Sequence, residues 1–224
     1  MSYFDWDRIM PRWDYQTFYR RVLPHWQPGG VPLFITWRLA GSLPKVVSLQ
    51  FEEEQQRLAD DPRHSDTHSD WAIQQHKRLF ARWDDYLHQA RQGPRWLEQP
   101  EVAQAVRDVF HQYVDDFYTL YAYVIMANHV HILIQPLTDR RTDLPVPLRV
   151  ITQRLKGSTA RYANLLLNRT GQAFWAQESY DHWARNPQET ARIINYIVNN
   201  PVKAGIVKNP EDWPWTWVSE LFEI

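Results

Sequence analysis

The periodicities of the sequence predict mixed α and β structure. Strong β patterns stand at residues 33–39 and 118–136, with a further strand at 174–183. Helical spacing of apolar residues runs through 148–168 and 187–199. A charged stretch of helical character separates the first two β segments.

The first thirty residues, ending in HWQPGG, read as an irregular lead-in. LFITWRL at 33–39 then alternates, with Leu33, Ile35, Trp37 and Leu39 on one face and Phe34, Thr36 and Arg38 on the other. From Pro44 to about Pro100, acidic residues including Glu52, Asp60, Asp70, Asp84 and Asp85 are interleaved with Arg, Lys, His and Gln. This predicts two or three charged helices, broken near Asp61–Pro62 and Gly93–Pro94, with another helix over 102–113. YTLYAYVIMANHVHILIQP predicts two antiparallel strands turning at Asn128. The helix over 148–168 turns Leu148, Ile151, Leu155 and Tyr162 to one side. The helix over 187–199 is stopped by Pro201 and followed by Gly205.

With 224 residues, 44% of them hydrophobic, the chain can build a sizeable core. The absence of cysteine excludes disulfides, zinc–cysteine centres and a cysteine nucleophile. No stretch approaches the ~18 apolar residues of a membrane span, and the N-terminus lacks a signal-peptide pattern. A cytoplasmic protein with no membrane contact is expected. A net charge of −1 gives no global basic excess, yet 145–177 holds no Asp or Glu while carrying Arg149, Arg154, Lys156 and Arg161. Such a local basic face suits phosphate binding, or is simply a solvated helix surface. The aromatic tail, DWPWTWVSE, could stack on unpaired bases or pack back onto the sheet.

Two short patterns carry chemistry. His129 and His131 flank Val130, and residues i and i+2 of a strand share a face, so both imidazoles can meet one metal ion. On its own the spacing also suits two histidines merely packed at a sheet. In RIINYIVNNP, Arg192, Tyr196 and Asn200 follow one another at i, i+4 spacing on one helical face. There a phenol could attack phosphorus, an amide oxygen could complete a metal's ligand set, and a guanidinium could meet a phosphate. The plainer reading is an amphipathic helix whose Tyr packs at a core margin.

Taken in order, FITWRLAGSLP, AYVIMANHVHILIQP, LKGSTARYANLLLNRTGQAFWAQESYDHWARN and NYIVNNPVKAGIVKNPEDWPW resemble the REP-associated tyrosine transposases. These are a branch of the HUH single-strand nucleases, related to the small insertion-sequence transposases. The resemblance implies an α+β fold: a ferredoxin-like antiparallel sheet with helices on one face. Residues 1–224 would form a single domain, with a charged helical insertion at about 45–105 and the aromatic tail at about 208–224. It implies that His129, His131 and Asn200 hold a divalent metal, Mg²⁺ or Mn²⁺, and that Tyr196 is the nucleophile. Imidazole ligands favour Mn²⁺. The activity implied is cleavage and rejoining of single-stranded or hairpin DNA at repeated extragenic palindromes, through a 5′-phosphotyrosine intermediate. Arg149, Arg154, Lys156, Arg161 and Arg192 would contact DNA, and a monomer is expected over a dimer. The alternative is a non-catalytic, domesticated protein that binds DNA hairpins.

Overall fold

The structure is a computed structural model that describes residues 19–20, 24–25, 30–61, 70–89 and 93–222. The lead-in expected before residue 30 and the break at Pro62 fall almost wholly outside these residues. The principal sheet has five strands: β1 (Leu33–Arg38), β2 (Tyr118–Ile125), β3 (His129–Pro136), β4 (Tyr180–Trp183) and β5 (Thr216–Val218). The helices are α1 (Lys45–Asp60), α2 (Asp70–Gln89), α3 (Pro100–Gln112), α4 (Leu148–Leu166) and α5 (Pro187–Lys203). The strands lie in the order β4-β1-β3-β2-β5, all neighbours antiparallel. Order 4-1-3-2, with α3 preceding β2 and α4 joining β3 to β4, is the ferredoxin-like arrangement expected.

Strand alternation decides which side chains face which layer. Leu33, Ile35 and Trp37 of β1 join Val130, Ile132 and Ile134 of β3 in one core, closed by α3 and α4 through Val102, Val106, Phe110, Ile151 and Leu155. The other face carries Phe34, Val124 and Leu133, covered by Ile194 and Ile197 of α5. A register shift between Leu120 and Ala122 lets Leu120 and Tyr123 both face the first core while Tyr121 and Ala122 face the second. The ferredoxin-like helix pair therefore lies on one face, as expected, but α2 and α5 cover the opposite one. The site is built there.

Several bounds differ from those the sequence predicts. The charged stretch forms α1 and α2, whereas residues 100–105 belong to α3, where Val102 and Ala103 are core residues. Helix α5 runs through Pro201 to Lys203 instead of stopping before it. Proline forfeits one N–H, but the Ala204 N–H still reaches Asn200 O (2.9 Å) and Ile206 N–H reaches Pro201 O (2.9 Å), so the last turn closes. Only 180–183 of the expected strand at 174–183 pairs continuously, and Trp175 makes an isolated bridge to Leu39. Tyr162 is exposed on α4, not on its apolar side. Among the described residues, no helix is long and apolar enough to cross a membrane.

Candidate active site

Strand β3 presents His129 and His131 on the face under α5, both essentially without solvent exposure. Their ring centroids are 4.8 Å apart. Asn128, in the turn before β3, donates from Nδ2 to Leu87 O (3.0 Å), which leaves its Oδ1 as an acceptor 2.6 Å from His129 Nδ1. An amide oxygen cannot donate, so His129 carries its proton on Nδ1 and its Nε2 lone pair is free. Thr36, opposite His131 on β1, places Oγ1 2.7 Å from His131 Nδ1 and can accept in the same way.

The free nitrogens face an acidic residue from α2. Asp84 is fully buried, with Oδ1 3.2 Å from His131 Nε2 and 3.7 Å from His129 Nε2. His88, one turn on, has Nε2 3.5 Å from Asp84 Oδ2. One candidate ligand atom from each of Asp84, His88, His129 and His131 lies within 4.8 Å of the others. Asp84 Oδ1, His129 Nε2 and His131 Nε2 make no hydrogen bond within the described structure. Buried polar atoms are rarely left so, and three converging on one point fit a cation held between them.

Tyr196 reaches this cluster from α5, where its hydroxyl donates to Asp84 Oδ2. Its ring packs against His131 (centroids 5.4 Å), Phe34 (5.9 Å) and Phe80 (6.2 Å). Asn200, one turn later, is buried, with Oδ1 3.1 Å from His88 Nε2. The structure thus places Tyr196 beside His131 and Asn200 beside His88. Arg192 is exposed on the preceding turn, its Nε donating to Gln188 O (3.2 Å).

Electrostatics follow from burial. Burial pushes His129 well below the ordinary histidine range, with neighbouring His131 adding to the effect, so its ring is neutral and able to ligate. His88 is lowered for the same first reason. Burial alone would raise Asp84, but the imidazoles of His131, His129 and His88 outweigh it and hold the carboxyl below its usual range. Burial, followed by the charge of Asp84, drives the Tyr196 phenol upward. Tyr196 is therefore stored as the neutral acid.

The residues expected to bind DNA on α4 lie across the sheet from the histidines. Arg149 and Lys156 line a cavity of about 540 Å³ between α4 and residues 172–179, and Lys156 Nζ donates to Gln177 O (2.9 Å). Arg154 sits 4.6 Å over the Phe117 ring, and Arg161 is exposed. A second cavity, of about 320 Å³, is lined by Arg38, Phe51, Phe80, Trp83 and Tyr180 among others, and its Phe80 also packs on the Tyr196 ring (6.2 Å). The tail packs back: β5 pairs with β2, Trp217 stacks on Tyr123 (5.9 Å, 15°), and Trp213 Nε1 donates to Ile125 O (3.0 Å). Those rings are anchors.

Asp84 and His88 are not among the residues the sequence singles out. The signal was present, because Leu79, Phe80, Trp83 and Leu87 mark the inward stripe of α2 and Asp84 and His88 fall within it. An i, i+4 acid–imidazole pair inside an apolar stripe is unlike the solvated charges around it.

A solved REP-associated tyrosine transposase bound to a REP hairpin is 15% identical and superposes with a TM-score of 0.47, covering 93% of this chain and 94% of that one. A Haemophilus influenzae protein named as a REP-associated tyrosine transposase is 24% identical over 99 residues, 42% of this chain. The match spans 56% of that relative's length. Residues 93–200, which bring His129, His131, Tyr196 and Asn200 to the site, match the family model of IS200-like transposases, and in this segment the chain is similar to that family.

Proposed function

We propose that the chain is a metal-dependent single-strand DNA endonuclease and strand transferase that cuts and rejoins DNA at repeated palindromic hairpins. The observation that carries this reading is the meeting of the Tyr196 hydroxyl with two imidazoles and a carboxylate in one buried site. The family match of residues 93–200 and the names of the relatives support it. We read 1–224 as one domain with α1 and α2 as its insertion, acting as a monomer.

His129 and His131 would hold the ion, Mg²⁺ or Mn²⁺, with Nδ1 of each ring tethered by Asn128 and Thr36. A divalent ion, when bound, supplies positive charge that offsets the charge developing on the phosphate and favours the phenolate. Tyr196 Oη attacks phosphorus in line. The Oη–P bond forms, the P–O3′ bond breaks, and the phenol proton is balanced by protonation of the leaving 3′-oxygen. The products are a 5′-phosphotyrosine and a free 3′-hydroxyl. Attack by another 3′-hydroxyl reverses the step and joins new ends, so no nucleotide cofactor is consumed. Trp83, in the cavity it lines with the mutually stacked Phe80 and Tyr180, offers a stacking surface for an unpaired base.

The test is a denaturing gel of the protein incubated with single-stranded palindromic DNA and Mn²⁺. A covalent adduct is expected, and Tyr196→Phe should abolish it while DNA binding persists. An adduct formed by the Phe variant would remove Tyr196 as nucleophile. One observation favours the non-catalytic alternative: the Tyr196 hydroxyl is engaged by Asp84 beneath α2. Tight hairpin binding with no adduct under any divalent metal would establish that alternative.

A further inference from the structure

We propose that Asp84 of α2 is the third protein ligand of the divalent ion, and that Asn200 serves instead to hold His88 beside it. This assignment rests on the metal-dependent reading above. It differs from the ligand set expected from the sequence, and it draws a ligand from outside the segment 93–200 that matches the family.

The geometry points to Asp84 in three ways. Its Oδ1 lies 3.2 and 3.7 Å from Nε2 of His131 and of His129. Donors ~2.1 Å from one ion stand about 3.0–3.4 Å apart in octahedral or tetrahedral sets, so little movement is needed to close around it. Next, Asp84 Oδ1 is buried with no hydrogen bond within the described structure. The nearby lysine, Lys203, approaches the other oxygen, Oδ2, at 3.7 Å, and makes its closer contact with Asp85 at 2.8 Å. A buried carboxylate oxygen left this way is costly unless a cation meets it. Lastly, the amide oxygen of Asn200 is already taken. It sits 3.1 Å from His88 Nε2, a bond that uses the His88 Nε2 proton because a carbonyl oxygen only accepts, while Asn200 Nδ2 is buried with no hydrogen bond within the described structure. A carboxylate is also a better-charged partner for a divalent ion than an amide.

The consequence is that the charged helical stretch is part of the centre. Helix α2 is held over the sheet by Asn128 Nδ2 on Leu87 O (3.0 Å) and by Lys77 on Glu189 (2.6 Å). Between those two points Asp84 is delivered to the histidines.

Calorimetric titration of the full chain with Mn²⁺, without DNA, tests the assignment. Wild type should bind and His129→Ala should not. Asp84→Asn should lose on the order of 100-fold in affinity, while Asn200→Ala stays within a few-fold of wild type. Circular dichroism in EDTA checks that each variant is folded. If Asp84→Asn fails to fold, Asp84→Glu replaces it and should lower affinity at least about 10-fold. Wild-type affinity in the Asp84 variants, or loss in Asn200→Ala equal to that in His129→Ala, overturns the assignment but leaves the metal-dependent reading standing. No Mn²⁺ binding by wild type overturns both.

Discussion

Thr36 and Asn128 touch the two site histidines from behind at Nδ1, and Asn128 determines which nitrogen of His129 is available. The Thr36 hydroxyl, fully buried, stands 2.7 Å from His131 Nδ1. Replacing it by valine keeps the shape but leaves that nitrogen unpartnered. Thr36→Val should therefore cost about 1–3 kcal/mol in stability, read from a chemical melt. It should also weaken Mn²⁺ binding by roughly 10–100-fold, read by calorimetry. If neither changes, Thr36 has no part in orienting His131. Among individual residues, the histidine pair and Tyr196–Asn200 were readable because local periodicity alone puts each pair on one face. Asp84 meets His131 through tertiary packing across a sequence separation that no local pattern spans, and exposed Asp85 beside it looks alike in sequence. Only the apolar stripe of α2 separates the two.

Helix α5 is fixed at its start as firmly as at the tyrosine. Asn186 caps it, with its side-chain oxygen accepting from Glu189 N at 2.8 Å. Glu189 then accepts from Lys77 (2.6 Å), His182 (3.0 Å) and Arg185 Nε (3.1 Å), tying α2, β4 and α5 together. Burial would raise its carboxyl, but these hydrogen bonds hold it below the ordinary 4.5. As pH falls, the unfolded chain takes up this proton before the folded one does. The contribution of Glu189 is thus complete above about pH 4.5 and lost progressively below it. Glu189→Gln should cost about 2–3 kcal/mol at neutral pH, less than a fully buried pair because Lys77 is partly in solvent. Its stability should also fall less steeply with acid, which thermal melts from pH 6 to 3 would read. An unchanged pH slope would remove Glu189 as the cause. Strands and helices were placed well by period, while their ends were not. Pro201 reads as a stop in sequence, yet the last turn of α5 closes around it because neighbouring N–H groups supply the bonds that proline lacks.

The fold sets two groups of residues on opposite sides of one sheet: the tyrosine and histidines under α2 and α5, the arginines of α4 behind. Residues 176–179 line the cavities on both sides, so a strand of DNA that touches both must pass this edge beside β4. Arg149→Gln combined with Arg161→Gln should weaken hairpin binding. The slope of log affinity against log salt should become shallower by about 1 for each phosphate no longer neutralised. Mn²⁺ affinity should stay as in wild type. A salt slope that does not move would take α4 out of the DNA path. The ferredoxin-like core could be read from alternation in β1 and β3, but the covering of the second face could not. That depends on α2 folding back from a charged stretch whose inward residues are few.

The seating of the tail has a further meaning for how copies of this chain meet. A bare outer strand offers unpaired N–H and C=O groups to any other strand. Here Val218, Trp217 and Thr216 pair with Ala122, Tyr123 and Val124, and the flanking bonds Ser219 N to Tyr121 O (2.9 Å) and Ile125 N to Trp215 O (3.0 Å) extend the seal. Two molecules cannot pair through β2 while the tail is bound, and the edge left on this side is the three-residue β5. To reach β2, a second copy would have to compete strand for strand with a segment already tethered to the same molecule, and tethering favours the resident segment.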